Sequence, residues 1–318
     1  MPERDVYQAL TAWGFQDCPV ALIAARENEV FRVETATGPL VLRLHRKGYR
    51  SHVELASELD WMAELTRAGV RVPQPIPSLE GHRCIPVNGR LADMLTFLDG
   101  HPLMANGQWN DAADPVQCAG QIGATLARLH DLSDIWQKPK GFTRPHWNAA
   151  GLIGADPLWD RFWENPALRP EQVTLFEALR ARAAQDLARL GPTLDYGLIH
   201  ADAVPENVLL ARDGVYLIDF DDGGFGFRLF DLATTANRLD RNDATGNASA
   251  QFLQAYQQNR PTDLAPLPLF RTLRALTYVG WVISRLHEPG ATARCTRFIS
   301  EAEQHALTYL DHNQGPSA

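Results

Sequence analysis

Asp202 and Asn207 lie in the run Leu198-Ile199-His200-Ala201-Asp202-Ala203-Val204-Pro205-Glu206-Asn207-Val208-Leu209-Leu210, which reads as strand, polar loop, strand around the pattern H-x-D-x-x-x-x-N. Twelve residues beyond the Asn, a second apolar run ends in Ile218-Asp219-Phe220-Asp221-Asp222. Phosphoryl transfer from a nucleotide needs such a set. One carboxylate orients the attacking hydroxyl and takes its proton, while an Asn and a second carboxylate hold the magnesium ions bridging the phosphates. A lone loop Asp is ordinary turn chemistry; Asp202, Asn207 and Asp219 at these separations point to function. His200 ends a buried strand and reads as a hydrogen-bonded brace rather than a base. Asp221 and Asp222 crowd Asp219, and such carboxylates repel unless cations or donors intervene, which supports a magnesium site nearby. One of them could face substrate instead. Asp231, at a helix start, reads as structural, capping its helix or accepting N–H groups of the catalytic loop.

A hairpin must bring these groups together. Strands over 208–210 and 215–218 flank Ala211-Arg212-Asp213-Gly214, where Asp-Gly supplies the positive-φ residues of a tight turn. Asn207 and Asp219 then fall at the same end of one ribbon. The phosphates also need a cation from the opposite wall. Arg43 and Val41 share the strand face opposite Leu42 and Leu44, so Arg43 is placed for phosphate and Val41 for adenine. Ser51-His52-Val53-Glu54 is a capping box opening a helix with the stripe Leu55, Leu59, Met62 and Leu65 or Thr66. Glu58 sits at the edge of that stripe, where it can hold Arg43. Arg46 and Lys47 compete as the phosphate cation. No glycine-rich phosphate loop precedes the strand; Arg26-Glu27-Asn28-Glu29 occupies that turn.

Residues 4–14 read as a helix stopped by Gly14, and 20–24 and 29–35 as strands. Phe31, Val33 and Thr35 alternate against Leu40, Leu42 and Leu44 across Thr37-Gly38-Pro39, predicting an antiparallel hairpin. Short strands follow at 82–87 and 91–98, then helical periodicity dominates at 112–131, at 171–190 and from about 246 onward. The stretch 132–170, rich in Trp, Pro and Gly, is either a substrate-side insertion or a local core. Only the tail 313–318 reads as disordered. The expected fold is α+β and two-lobed, with a small β-rich nucleotide-binding lobe over 1–98 and a larger, mainly helical catalytic and substrate-binding lobe over 99–318.

A net charge of −8 on 318 residues argues against a nucleic-acid or anionic-membrane partner. Cys18, Cys84, Cys118 and Cys295 lie too far apart for a metal motif and read as reduced, mostly buried thiols. The charged N-terminus lacks a signal-peptide stretch, and no run reaches the roughly 18 to 20 apolar residues that span a bilayer. The expected location is the cytoplasm.

At its chemical residues the chain resembles the aminoglycoside phosphotransferase and choline kinase superfamily, which has the protein-kinase-like fold. The likeness runs from about residue 20 to 310 and rests on the catalytic-loop run 200–207 and on 218–222, with support from Leu126-Ala127-Arg128-Leu129-His130 and Asp231-Leu232-Ala233. The resemblance implies ATP and Mg2+ as cofactors, Asp202 as catalytic base, and Asn207 and Asp219 as magnesium ligands. It places Phe97 and Leu98 near the interlobe hinge beside adenine. Glu27-Asn28-Glu29-Val30-Phe31-Arg32-Val33, Ser57-Glu58-Leu59 and the doublet Asp221-Asp222 are most similar to the homoserine kinase type II and stress-response serine/threonine kinase branch. The family usually has Lys where this chain has Arg43. Arg occurs there in choline kinase-like members, and its planar fork implies a different phosphate geometry.

The expected partner is a small molecule with a hydroxyl acceptor. Substrate-side candidates are Asp222, Arg238, Asp240, Trp281, Arg285, His287 and Glu288. Trp281, Arg285 and Glu288 recur at the spacing of one helix face, a pattern that either suits an amino acid or amino alcohol or belongs to a solvated helix with one packed Trp. The branch resemblance implies an acceptor such as homoserine. The alternatives are an aminoglycoside or other antibiotic, a protein Ser or Thr, and a nucleotide-binding pseudokinase, for which Arg43 and the missing glycine-rich loop speak.

Overall fold

The structure is a computed structural model and describes residues 2–312 apart from 26, 27, 106 and 244. The first lobe runs α1 (Pro2–Trp13), β1 (Val20–Ala25), β2 (Glu29–Thr35), β3 (Gly38–Leu44), α2 (His52–Arg67), β4 (Pro75–Ile76), β5 (Cys84–Val87) and β6 (Arg90–Thr96). β2 and β3 pair antiparallel with Phe31 opposite Leu42 and Val33 opposite Leu40, and β6 lies beside β3 with Asp93 opposite Arg43. The sheet order is β1-β2-β3-β6-β4, with β5 also on β6.

Strand side chains alternate between faces. Phe31, Val33, Leu42, Leu44 and Met94 therefore point one way, where Val6, Leu10 and Trp13 of α1 cover them. Arg43 and Asp93 are thereby turned to the other face, toward α2 and the cleft. The Ser51–Glu54 capping box forms in both directions. Leu55, Leu59, Met62 and Leu65 bury the inner face of α2, while the Thr66 hydroxyl donates back to the Met62 carbonyl. Gly69 follows at φ 80, a conformation open to glycine.

The second lobe contains β7 (His101–Pro102), β8 (Met104–Ala105), β9 (Gln108–Trp109), α3 (Pro115–Ile135), β10 (His146–Trp147), α4 (Ala149–Ile153), α5 (Pro170–Leu190) and β11 (Tyr196–Ile199). It continues with β12 (Val208–Ala211), β13 (Gly214–Leu217), β14 (Gly224–Phe227), α6 (Arg228–Asn242), α7 (Asn247–Asn259), α8 (Leu267–Trp281) and α9 (Ala291–His312). Helix α3 packs so closely on α7 that a Cβ on Gly123 would lie 2.2 Å from the Phe252 carbonyl oxygen. Two small sheets carry the loops of interest: β12 pairs with β13 and with β7, and β14 lies between β10 and β11.

The ribbon forms as read, with one difference at its turn. Ala211 pairs with Gly214, so Arg212 and Asp213 are the loop residues, and only Gly214 has positive φ, at 131. The Trp-rich stretch does form local core through Trp147, Phe162 and Trp163, while Trp159 is half-buried on a surface depression. The turn residues Arg26 and Glu27 and the tail 313–318 lie outside the described residues. Cys84, Cys118 and Cys295 are buried free thiols and Cys18 is half-buried. No helix among the described residues is long and apolar enough to cross a membrane.

Candidate active site

The loop leaving β11 is held in a strained shape. Ala201 has φ 64 and Asp219 φ 65, in the left-handed region that costs an L-residue about 1–2 kcal/mol. Asp231, in the first turn of α6, accepts the N–H groups of His200 at 2.8 Å and Ala201 at 2.6 Å, which holds the kink. Asp231 braces the loop and does not cap its helix, because the N-cap position belongs to Phe227. Behind it, His130 bridges the Asp231 carboxylate and the Tyr256 hydroxyl. His200 Nε2 donates to the Ile218 carbonyl at 3.1 Å, and its Nδ1 accepts from the Asp202 N–H at 3.3 Å. Burial pushes the imidazole down to about 4, so it stays neutral. This histidine is a brace linking two loops.

Asp202 projects from the kink with both oxygens occupied. Oδ2 accepts from Asn207 Nδ2 at 2.8 Å, and Oδ1 accepts from Arg274 Nη2 at 2.6 Å. Burial raises its carboxyl above the usual range, and Arg274 and Asn207 oppose that rise. Asn207 uses its amide N–H on Asp202, leaving Oδ1 as an acceptor for a cation. The Ile218 N–H donates to the Asn207 carbonyl at 3.0 Å, which sets Asp219 beside Asn207 at the ribbon end.

Asp219 opens onto the cleft. Loss of bulk water, then the charges of Asp221, Asp202 and Asp222, push its carboxyl well above the ordinary value. Because that carboxylate remains exposed, the like charges weigh more than the burial. Buried Asp221 accepts from Asn28 Nδ2 at 2.8 Å through Oδ2, while its Oδ1 lies 4.0 Å from His45 Nδ1 and accepts no hydrogen bond from the described residues. Burial and then the Asp202 charge push Asp222 up to about 6, against the pull of Arg50 at 3.5 Å. Among the described residues, no three His, Cys, Asp or Glu side chains converge tightly enough to cage an ion alone. Mg2+ commonly takes one or two carboxylates and completes its shell with substrate phosphates and water. The all-oxygen set of Asp219 and Asn207 Oδ1, with the carboxylates of Asp221, Asp202 and Asp222 nearby, fits that requirement.

Across the cleft, Arg43 is buried and donates to Glu58 at 3.0 Å and to Asp93 at 3.0 Å. Its competitors Arg46 and Lys47 are exposed at the lip of a different depression. Val41 shares the inward face of β3, and Phe97 and Leu98 follow β6 directly, with the Arg32 guanidinium 4.4 Å from the Phe97 ring centre. Three site residues escaped the sequence reading. Asp93 and Arg274 are charges inside apolar segments, a legible signal passed over. Arg144, in a loop, has no local signal at all.

The substrate-side candidates separate. A depression of about 460 Å³ is lined by Asp222, Trp281 and Arg285 together with Arg46, Lys47, Arg50 and Trp159. Trp159 lines this depression and stacks on the Arg274 guanidinium at 4.7 Å, which links the depression to the residue that holds Asp202. Asp240 does not join the group: it pairs with Arg271 and lines a separate cavity of about 850 Å³ between α6, α8 and α9. Glu288 turns away to Arg294, Arg238 pairs with Glu206, and His287 is exposed. The expected shared helix face fails because α8 ends at Trp281 and a 3-10 turn over Ile283–Arg285 follows. The turn still folds Arg285 back over the Trp281 ring, 4.1 Å from its centre.

Comparison with known proteins agrees with this geometry. The chain is 30% identical over 262 residues to a homoserine kinase of Rhodopseudomonas palustris, covering 80% of this chain and 75% of the relative. It is 30% identical over 285 residues to a homoserine kinase of Rhodospirillum rubrum, covering 84% and 81%. The solved structure of a microcompartment-associated aminopropanol kinase superposes with a TM-score of 0.81 at 27% identity, over 96% of this chain and 97% of that one. A choline kinase from Cryptosporidium parvum shares the fold, with a TM-score of 0.69 at 14% identity over 98% and 97%. The profile of the Phosphotransferase enzyme family matches residues 20–270. The chain belongs to the Phosphotransferase enzyme family and is a small-molecule kinase.

Proposed function

We propose that this kinase moves the γ-phosphoryl group of ATP to the side-chain hydroxyl of a small amino acid, with homoserine the favoured acceptor. The observation that carries the reaction is Asp202 fixed between Asn207 and Arg274 and facing the Asp219 loop. Asp202 orients the acceptor hydroxyl and takes its proton as the new O–P bond forms and the bond to the β-phosphate oxygen breaks. Asn207 Oδ1 and Asp219 would hold Mg2+, which neutralises phosphate charge when bound. Arg43, gripped by Glu58 and Asp93, steadies the phosphates; Val41, Phe97 and Leu98 would line the adenine end.

The order of groups along β3 supports the acceptor side. Strand residues advance about 3.3 Å each, so Val41 and Arg43 follow one another from the hinge end outward, and Arg46 and Lys47 lie in the turn beyond the end of β3 at Leu44. The depression therefore lies beyond the phosphate end. Its lip carries Arg46, Lys47, Arg50 and Arg285 around Asp222. That charge pattern suits a carboxylate with an adjacent ammonium and disfavours a polycationic aminoglycoside. Its volume is that of a small-molecule site rather than a protein groove. The likeness to an aminopropanol kinase favours an amino alcohol as the second reading, but such an acceptor carries no carboxylate to meet the basic lip.

The test is ADP release from Mg-ATP with homoserine, serine, amino alcohols, an aminoglycoside and a generic protein. Hydroxy amino acids should turn over best. Turnover on an amino alcohol or aminoglycoside, with none on any hydroxy amino acid, would overturn the substrate reading.

A further inference from the structure

Arg144 lies in the loop between α3 and β10, buried, and every one of its N–H groups is used. Nε donates to the Gly223 carbonyl at 2.6 Å, and Nη2 donates to the carbonyls of Phe220 at 2.8 Å and Asp221 at 2.7 Å. Nη1 donates to the Glu54 carbonyl and to Glu58 Oε2, both at 3.1 Å. One planar guanidinium thus fastens the loop that follows Asp219 to the helix that carries Glu58. Its neighbours do the same on a smaller scale. The Thr143 N–H donates to Ser57 Oγ at 3.0 Å, and Trp147 Nε1 donates to the Asp222 carbonyl at 2.8 Å.

We infer that Arg144 is a positioning residue that sets the phosphate cation and the metal-side carboxylates in register across the two lobes. It acts on Arg43 through the shared partner Glu58, whose other oxygen accepts from Arg43 at 3.0 Å. It acts on Asp219 through the three carbonyls that fix the turn behind that strained residue. Segment 143–147 is then a strap between α2 and the 220–223 turn, which gives the Trp-rich stretch a mechanical role. Lysine cannot reproduce it, because an ammonium lacks the planar fork needed to reach five acceptors in two directions. The inference rests on the reading of Arg43 and Asp219 as phosphate and metal groups.

The experiment uses the full chain with Arg144→Met and Arg144→Lys, and two readouts. ATP affinity is measured calorimetrically with and without Mg2+, and amide hydrogen exchange is followed without nucleotide or metal. Arg144→Met should weaken Mg-ATP binding by about 10-fold or more, with exchange rising together at 219–223 and in α2 around Glu54 and Glu58. Arg144→Lys should recover only part of both. Should the Met variant not fold, the Lys variant decides by the same readouts. A folded variant with Mg-ATP affinity within about twofold of wild type, or with faster exchange confined to 143–147, overturns the inference. Asp219→Asn separates the two claims. If Mg2+ still tightens ATP binding in that variant, the metal reading fails, while the exchange measurement, made without metal, still judges Arg144.

Discussion

At the scale of single residues, Asp202 is useful as a base only if its carboxylate is held still, and Arg274 is the group that does most of the holding. Its side chain is fully buried, packed against Trp159 and Tyr278, and it donates to Asp202 Oδ1 and to the Tyr278 hydroxyl. Arg274→Met should lower kcat by about 10- to 100-fold, the size expected when a reacting group is misplaced by around 1 Å, and leave ATP affinity unchanged. Arg274→Lys should recover part of the loss. Steady-state kinetics and calorimetric ATP titration check this, and a Met variant with wild-type kcat would contradict it. Asp202, Asn207 and Asp219 were legible because they sit close in sequence, on one ribbon whose turn residues announce it. Arg274 showed only as a charge in a helix that otherwise reads as core; its pairing was not legible, since Asp202 lies 72 residues away.

Among the elements, α3 and α7 fit closely, and there Gly123 faces backbone instead of a side chain that could move aside. Gly123→Ala should therefore destabilise the fold by about 1–3 kcal/mol despite its better helix propensity, read as a shift in the urea midpoint at constant slope. An unchanged or raised midpoint would show that the helices separate freely. The β2–β3 hairpin, the capped helix α2 and the β12–β13 ribbon could be read directly, because alternation, a capping box and a glycine turn are local signals. Helix α8 misled for the converse reason. Nothing between Trp281 and Glu288 is a strong breaker, and the stop after Trp281 comes from tertiary packing, with Gly280 pressed against the Trp159 and Asp160 carbonyls. The break swings Glu288 toward Arg294 and keeps Arg285 at the depression.

Over the whole molecule, the buried histidines and the raised carboxyls respond to acid in opposite senses. Burial, then the charges of Arg228 and Arg260, hold His130 well below its ordinary 6.5, and burial takes His200 to about 4. The unfolded chain takes up these protons below pH 6.5 while the folded chain refuses them, so their contribution is present above pH 6.5 and is lost as pH falls. Asp231 works in the opposite sense below about 6, where burial keeps it protonated in the fold. Asp222, also raised to about 6, and Asp219 add to that opposing uptake, and His130→Gln should remove up to one proton from the histidine part of the slope below pH 6.5, up to ~1.4 kcal/mol per pH unit. Urea melts from pH 8 to 5 measure it, and an identical slope in the variant would contradict it. In the proposed reaction Asp202, braced by Asn207 and Arg274 of the second lobe, takes the proton of the hydroxyl that attacks ATP. The most direct test compares wild type with Asp202→Ala, measuring ADP release with Mg-ATP and homoserine alongside ATP affinity. Turnover in the variant should fall by about 10²-fold or more with ATP affinity within about threefold of wild type. Wild-type turnover by Asp202→Ala would contradict the account.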